Sequence, residues 1–211
     1  MGVRETPSAL WRRYVRPRAV RRRGSAAWRA VNLGSGQARV EGFCAIDVAG
    51  PVDLLVNLSR HGIPFPDASL EAVVCMSAIN YFTRSRAVEL IAETHRVLRP
   101  GGVARFGSQD MKSLARRYVE NDEAFFFQTL ENGRERFPGP TIGDKFVAWF
   151  YGHATAGGPS RYFYDYEALA YLFVETGFSV VERREFRDSR LAEARLLDNR
   201  PEQMFYLEAV K

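Results

Sequence analysis

Cysteine and histidine are scarce in this chain. The two cysteines, Cys44 and Cys75, both stand in apolar runs. They read as buried thiols, since a disulfide framework or a Cys/His metal site needs more such residues at closer spacing. Three dispersed histidines, His61, His95 and His153, and no clustered carboxylates give no metal-ligand spacing, so metal independence is expected. No apolar run approaches the ~20 residues that span a bilayer. The first thirty residues lack the apolar segment of a secretory signal, which makes a soluble, cytoplasmic protein the expectation. A third glycine is missing as well: Gly34-Ser35-Gly36 would need glycine where Arg39 stands to make the dinucleotide fingerprint. Nicotinamide and flavin enzymes lose ground accordingly.

What the chain does have is 211 residues, enough for one domain with a sizeable core and a small insertion. Its formal charge of +5 is unevenly placed. Residues 1–30 hold nine arginines and one acid, Glu5, a net of +8, so the remainder carries −3. A domain that is not itself basic argues against a nucleic-acid partner, and the arm, residues 1–28, reads as a separable tether. Thr6-Pro7 suits a helix start and Pro17 its end, with Leu10, Trp11, Tyr14 and Val15 on one face between arginines. Two readings stay open for it: peripheral contact with an anionic membrane, or a solvated arm without a specific partner. Gly24-Ser25 marks the hinge into a domain spanning 29–211.

Within that domain the chain is organised around Val31 to Asp47. A buried strand, Arg29 to Leu33, ends in Gly-x-Gly, and a second, Phe43 to Val48, carries a carboxylate at its end. Glycines let a ligand approach the backbone, and an acid accepts hydrogen bonds from ribose hydroxyls, so the pattern suits a nucleoside pocket. The six residues between Gly36 and Phe43 are too few for an ordinary crossover helix. Further strands are expected at Val52–Val56, Leu70–Met76, Val103–Phe106, Phe178–Phe186 and Met204–Val210. Helices are expected at Ser85–Leu98, with Val88, Ile91, His95 and Leu98 facing in and Glu89, Glu93 and Arg96 elsewhere, at Met111–Val119 and at Asp165–Glu175. This alternation predicts a mostly parallel α/β sheet. Residues 121–160 interrupt it with Phe125-Phe126-Phe127 and Trp149-Phe150-Tyr151, an insertion that reads as a lid or substrate wall.

These motifs, in this order, resemble the class I S-adenosylmethionine-dependent methyltransferases, and among them the short group associated with bacterial glycan and polysaccharide biosynthesis. Asn32-Leu33-Gly34-Ser35-Gly36 is similar to the family's first motif and Ala45-Ile46-Asp47-Val48 to its acidic strand end. Ile63-Pro64-Phe65-Pro66-Asp67 is similar to its Leu-Pro-Phe turn. Arg96-Val97-Leu98-Arg99-Pro100-Gly101-Gly102 is similar to its helix-to-strand break, the most specific match. Tyr164-Asp165, Glu175-Thr176-Gly177-Phe178 and Leu207-Glu208-Ala209 complete the pattern. The resemblance implies a Rossmann-like methyltransferase sheet, mostly parallel with an antiparallel C-terminal strand, here with a shortened first helix and an aromatic insertion after strand five. It implies S-adenosyl-L-methionine as cofactor, with Gly34 and Gly36 against its methionine part, Asp47 on the ribose and Asn57 near the adenine. Asn32, Ser35, Val48, Leu58 and Ser77 complete the candidate cofactor set. Asn80-Tyr81 departs from the family's frequent Glu-His after strand four, and Ser160 from a frequent histidine.

Methyl transfer to a hydroxyl benefits from a base beside the methyl group. Asp110, just past strand five, is the first candidate, with helix N-capping as its competing role. His153 is the second, with an exposed position in the insertion as its competing role. His95 reads as a core histidine and His61 as loop surface. The acceptor implied by the resemblance is a sugar or glycan oxygen. A secondary-metabolite small molecule, or cofactor binding without transfer, are the alternatives, and the oligomeric state stays open.

Overall fold

A computed structural model describes residues 28–211 except 131 and 153. The expected arm helix and the candidate base His153 therefore lie outside the described residues. Seven strands form one sheet: β1 (Ala30–Leu33), β2 (Phe43–Asp47), β3 (Leu54–Leu55), β4 (Leu70–Met76), β5 (Leu98–Gln109), β8 (Val180–Arg184) and β9 (Met204–Val210). Their order is β3-β2-β1-β4-β5-β9-β8. β1, β2, β3, β4 and β5 run parallel, and β9 runs antiparallel to both β5 and β8. The fold is α/β with a Rossmann-like sheet of the methyltransferase type, and the chain order reverses between β1 and β4. Ligand crevices form at such a switch point, outside the carboxyl ends of the strands.

Helices α1 (Arg84–Val97) and α5 (Tyr166–Thr176) cover one face of the sheet. Val31, Leu33, Cys44, Ile46, Val73 and Cys75 project to that side with Leu90, Ile91, Leu169 and Phe173, all buried. Thr83 caps α1 by accepting the Arg86 N–H at 3.3 Å, and Gly177, at φ 98°, closes α5 in the left-handed region that favours glycine. The alternate residues, Ala30, Phe43, Ala72, Val74, Met76, Met204 and Tyr206, face the other side. Among the described residues no α-helix covers them; Phe186, Leu191 and Leu197, from the segment between β8 and β9, do. Trp28, assigned to the arm by its sequence, meets Phe65 edge-on at 6.4 Å and belongs to the domain.

Several expectations change. β3 shrinks to two residues because Asp53 turns back, its carboxylate accepting the Ala45 N–H of β2 at 2.8 Å. The inward face of α1 is Ala87, Leu90, Ile91, Thr94 and Val97, while Val88 is exposed. Glu93 and Arg96 are buried too. Arg96 donates to both oxygens of Glu93 (2.7 and 2.8 Å), to Asp67 at 2.8 Å and to the carbonyls of Phe65 and Ile63 at 2.9 and 3.0 Å. Two of the family-like motifs are thus fastened to each other. Pro100-Gly101-Gly102 is not a break before a strand but a bulge inside β5, with Gly101 at φ 74° and the pairing to β4 slipping between Leu70 and Ala72. His95, expected in the core, is half-buried and packs edge-on against Phe178 at 5.0 Å.

After α2 (Met111–Val119) the insertion folds on itself. α3 (Glu123–Phe126), α4 (Ile142–Tyr151) and a small hairpin, β6 (Ala154–Thr155) and β7 (Gly158–Pro159), build a separate cluster of Leu114, Phe125, Phe126, Phe137 and Trp149. Phe125, Phe126, Phe137 and Trp149 fill this satellite core, while Phe127 and Tyr151 are exposed. The hairpin tip, Thr155 to Gly157, lines the cavity at the sheet's carboxyl edge. No helix of the described residues is long and apolar enough to cross a membrane.

Candidate functional site

An open cavity of about 670 Å³ lies along the carboxyl edge of the sheet. Its first wall is Gly34, Ser35, Gly36 and Gln37 after β1, Asp47 to Pro51 after β2, and Val56 to Ser59 after β3. Gly34 and Gly36 sit at φ 64° and 53°. A Cβ at Gly34 would stand 2.4 Å from the Cβ of Ala78, so glycine there lets the β1 and β4 turns touch. A Cβ at Gly36 would meet nothing within 4 Å, so backbone borders open space where a ligand can approach. The Asp47 carboxylate accepts the Gly36 N–H at 2.8 Å through Oδ2 and its neighbour's Val48 N–H at 2.6 Å through Oδ1. Each oxygen keeps a further lone pair for a hydroxyl donor. Asn57 Oδ1 accepts the Ser59 N–H at 3.0 Å, leaving its amide N–H groups available.

The opposite wall is assembled from distant segments: Met76, Ser77, Tyr81 and Phe82 after β4, Gln109 at the end of β5, the hairpin tip Thr155 to Gly157, and Asn199-Arg200 before β9. Because β9 is antiparallel, its beginning lies at the same edge as the ends of β4 and β5. Ser77, at φ 54°, hydrogen-bonds Asn199 Oδ1 at 3.2 Å and ties the two sides together. Desolvation is the main cause that pushes the Tyr81 phenol above its ordinary pKa, against an opposing pull from the Arg200 charge. At neutral pH this phenol is a donor and not a base.

Of the candidate cofactor set, Gly34, Ser35, Gly36, Asp47, Val48, Asn57 and Leu58 line the first wall of this cavity and Ser77 the opposite one. It does not bring Asn32 there: the side chain is buried in β1, on the strand side away from Val31 and Leu33. Asp110 is not in the wall either. Its Oδ1 accepts the Lys112 and Ser113 N–H groups at 3.0 and 3.2 Å, and its Oδ2 faces Arg183 at 3.5 Å. It caps α2, and its lone pairs are engaged away from the cavity. Asn80 is a fastener: fully buried, it donates to Ser160 at 3.0 Å while its carbonyl accepts the Arg161 N–H at 2.8 Å. Cys44 and Cys75 are free and buried, with burial pushing both thiols up to about 12, so neither supplies a thiolate. Among the described residues no cluster of His, Cys, Asp or Glu could hold a metal ion.

Sequence reasoning did not assign Gln109, Asn199 or Arg200 to the site. The available signal was Asn199-Arg200-Pro201 immediately before the last strand, once that strand is taken as antiparallel.

The fold is an α/β sheet of the methyltransferase type with a glycine-walled cavity at its carboxyl edge. Residues 32–106 match the family described as "Methyltransferase domain", a span that ends before the opposite wall of the cavity is complete. That match supports S-adenosylmethionine as the cofactor and S-adenosylmethionine-dependent methyl transfer as the activity. Nothing among curated protein sequences matches. Similar solved structures include a SAM-dependent methyltransferase, "possible histamine N-methyltransferase", from Thermotoga maritima. It is 17% identical over 87% of this chain and 82% of that one, with a TM-score of 0.46. Another is an S-adenosylmethionine-dependent methyltransferase from Mesorhizobium loti (16% identical, 88% and 91% covered, TM-score 0.48). A third is the Burkholderia thailandensis 1,6-didemethyltoxoflavin-N1-methyltransferase with bound 1,6-didemethyltoxoflavin and S-adenosylhomocysteine (13% identical, 86% and 70% covered, TM-score 0.48).

Proposed function

We propose that this protein moves a methyl group from S-adenosylmethionine to an oxygen of a sugar or glycan intermediate. The observation that carries the methyl-transfer part is the continuity of the cavity: it runs from Asp47 at the end of β2 to Gln109 and Arg200 beside β5 and β9, so donor and acceptor share one space. The sugar or glycan acceptor rests on the sequence motifs.

Gly36 gives the cofactor's methionine end room against bare backbone, Asp47 accepts from the ribose hydroxyls, and Asn57 meets the adenine edge. When bound, S-adenosylmethionine supplies a methyl group on a sulfonium: an acceptor oxygen's lone pair forms the new C–O bond as the S–C bond breaks, the electron pair stays on sulfur, and the hydroxyl proton leaves to water or a base. Tyr81 and Gln109 hydrogen-bond the acceptor and hold its nucleophile in line. Such alignment alone is worth about 7–11 kcal/mol of barrier in well-oriented systems. The hairpin tip Thr155 to Gly157 reduces access of water, which strengthens the attraction between developing oxyanion and sulfonium.

Calorimetric titration with S-adenosylmethionine, followed by a labelled-methyl assay over glycan extracts, tests this. Asp47→Ala is expected to weaken cofactor binding by about tenfold or more, the value of hydrogen bonds to a charged acceptor, with the unfolding midpoint retained. Absence of binding at millimolar cofactor overturns the reading. Binding without transfer to any acceptor reduces it to a cofactor-binding protein.

A further inference from the structure

Among the described residues, two formal charges stand in the cavity wall, Asp47 and Arg200. Asp47 lies at the end of β2 and Arg200 just before β9, strands separated by four spacings or about 19 Å. The cation is therefore at the end of the cavity remote from the ribose acid, beside Tyr81, Gln109 and Asn199.

Arg200 is not placed there by an ordinary turn. Its φ of 53° puts a residue bearing a Cβ in the left-handed region, which is unfavourable for a non-glycine residue. The conformation is pinned on both sides. The Tyr206 hydroxyl donates to the Asn199 carbonyl at 2.6 Å, and the Gln203 N–H donates to the Arg200 carbonyl at 3.1 Å. One residue further back, Asp198 is gripped by the fully buried Arg105 at 2.8 and 2.5 Å and also accepts the Arg187 N–H at 2.7 Å. A rigid frame thus holds this side chain at the cavity.

Its guanidinium is also uncommitted. Arg29, Arg86, Arg96, Arg105, Arg117, Arg136, Arg184 and Arg190 all have carboxylate partners. Arg200 makes no side-chain hydrogen bond or ion pair among the described residues; of the two acids two residues away, Asp198 is held by Arg105, and Glu202 feels the Arg200 charge but is held by Arg136 at 2.5 Å. An arginine fork with five donors and no acceptor is suited to planar or tetrahedral oxyanions.

We propose that Arg200 reads an anionic group on the methyl acceptor, a carboxylate or a phosphate, which sits between its guanidinium and the Tyr81 hydroxyl while the nucleophile faces the methyl group. This rests on the methyltransferase reading and narrows it: the acceptor is an acidic or phosphorylated molecule, and a neutral analogue is bound poorly. Tyr81, kept protonated by its desolvation, donates to the same oxyanion.

The experiment uses the full chain with S-adenosylhomocysteine at saturation, so that the probe cannot occupy the cofactor's own carboxylate position. Malonate and inorganic phosphate are titrated separately by calorimetry into wild type, Arg200→Gly and Arg200→Lys. Glycine adopts the left-handed backbone freely, so Arg200→Gly removes the guanidinium and leaves the loop as it is. We expect one or both anions to bind wild type, about tenfold or more weakly to Arg200→Gly, and at an intermediate level to Arg200→Lys. Preference for malonate identifies a carboxylate acceptor and preference for phosphate a phosphorylated one. Equal binding to wild type and Arg200→Gly, or no binding of either anion to wild type at tens of millimolar, overturns the proposal. If S-adenosylhomocysteine itself fails to bind, the methyltransferase reading falls. The same anion titrations on the free protein then still decide whether Arg200 is an anion site.

Discussion

The two faces of the sheet are built on different principles. On the helical face the buried strand residues are apolar apart from Ser108 and pack with α1 and α5, so cohesion there is hydrophobic, about 1.5–3 kcal/mol for each large side chain fully buried. On the other face, Ala30, Ala72, Val74 and Met76 are covered by the largely irregular chain between β8 and β9. There the sheet itself presents charge: Arg105 of β5 and Glu208 of β9 are cross-strand partners, 3.0 Å apart and fully buried, and Arg105 also holds Asp198. Arg105 further donates to the carbonyls of Asp188 and Glu185, and Ser189 and the Arg190 N–H close on Glu208. A helix satisfies its own backbone, whereas an irregular segment needs partners from outside. The buried ions supply them. The difference teaches that one face serves stability and the other fixes the course of a loop whose end reaches the cavity.

The comparison can be broken from its charged side first. Arg105→Met leaves Asp198 buried without its cation and Glu208 with only Arg184 and Arg190, each at 3.6 Å, and removing one partner of a buried pair costs about 3–5 kcal/mol. Urea unfolding should register that loss, with increased proteolysis between residues 185 and 200 as its local sign. Simultaneous replacement of Arg105, Asp198 and Glu208 by apolar residues of similar size should recover much of the stability but not the loop's course. A smaller effect is expected on the helical face, where Ile91→Val removes one buried methylene from a tight contact and costs about 0.5–1.5 kcal/mol, read by the same unfolding curves without loss of local order.

The smallest effect concerns pH. Burial, aided by the Lys211 charge, holds the His95 imidazole below its ordinary pKa. The unfolded chain therefore binds this proton more readily than the folded one. Stability contributed by the neutral ring is present above the ordinary value near 6.5 and is lost as pH falls from there through the lowered folded pKa. His95→Gln should show a shallower acid loss than wild type between pH 7 and 5. Equal slopes would show that other groups govern this range.

The legible parts of the chain were those whose determinants are local. Leu70–Met76, Met111–Val119 and Met204–Val210 have the bounds that apolar runs and a capping aspartate imply. The cofactor wall was legible for the same reason: glycine turn, strand and acid lie within seventeen consecutive residues, and Asn57 follows a short strand. Asn32 was misplaced because motif position does not tell which side of a strand faces the ligand. Glu93 and Arg96 looked like solvated helix charges because their partners, Asp67 and the Ile63 and Phe65 carbonyls, belong to another segment. The acceptor wall was least legible. Tyr81, Gln109, the hairpin tip and Arg200 are brought together only by strand order and by the reversed direction of β9, which no local pattern reports.

One consequence follows for redesign. The segment covering the second face is clamped near residues 185–190 and again at 198, but Arg195 and Leu196 between the clamps are exposed. Sequence can be exchanged or inserted at those two positions without moving either clamp, which makes this short arc a natural graft point. New contacts to larger acceptors could be added there while the strands beneath, and the cofactor wall they carry, keep their geometry.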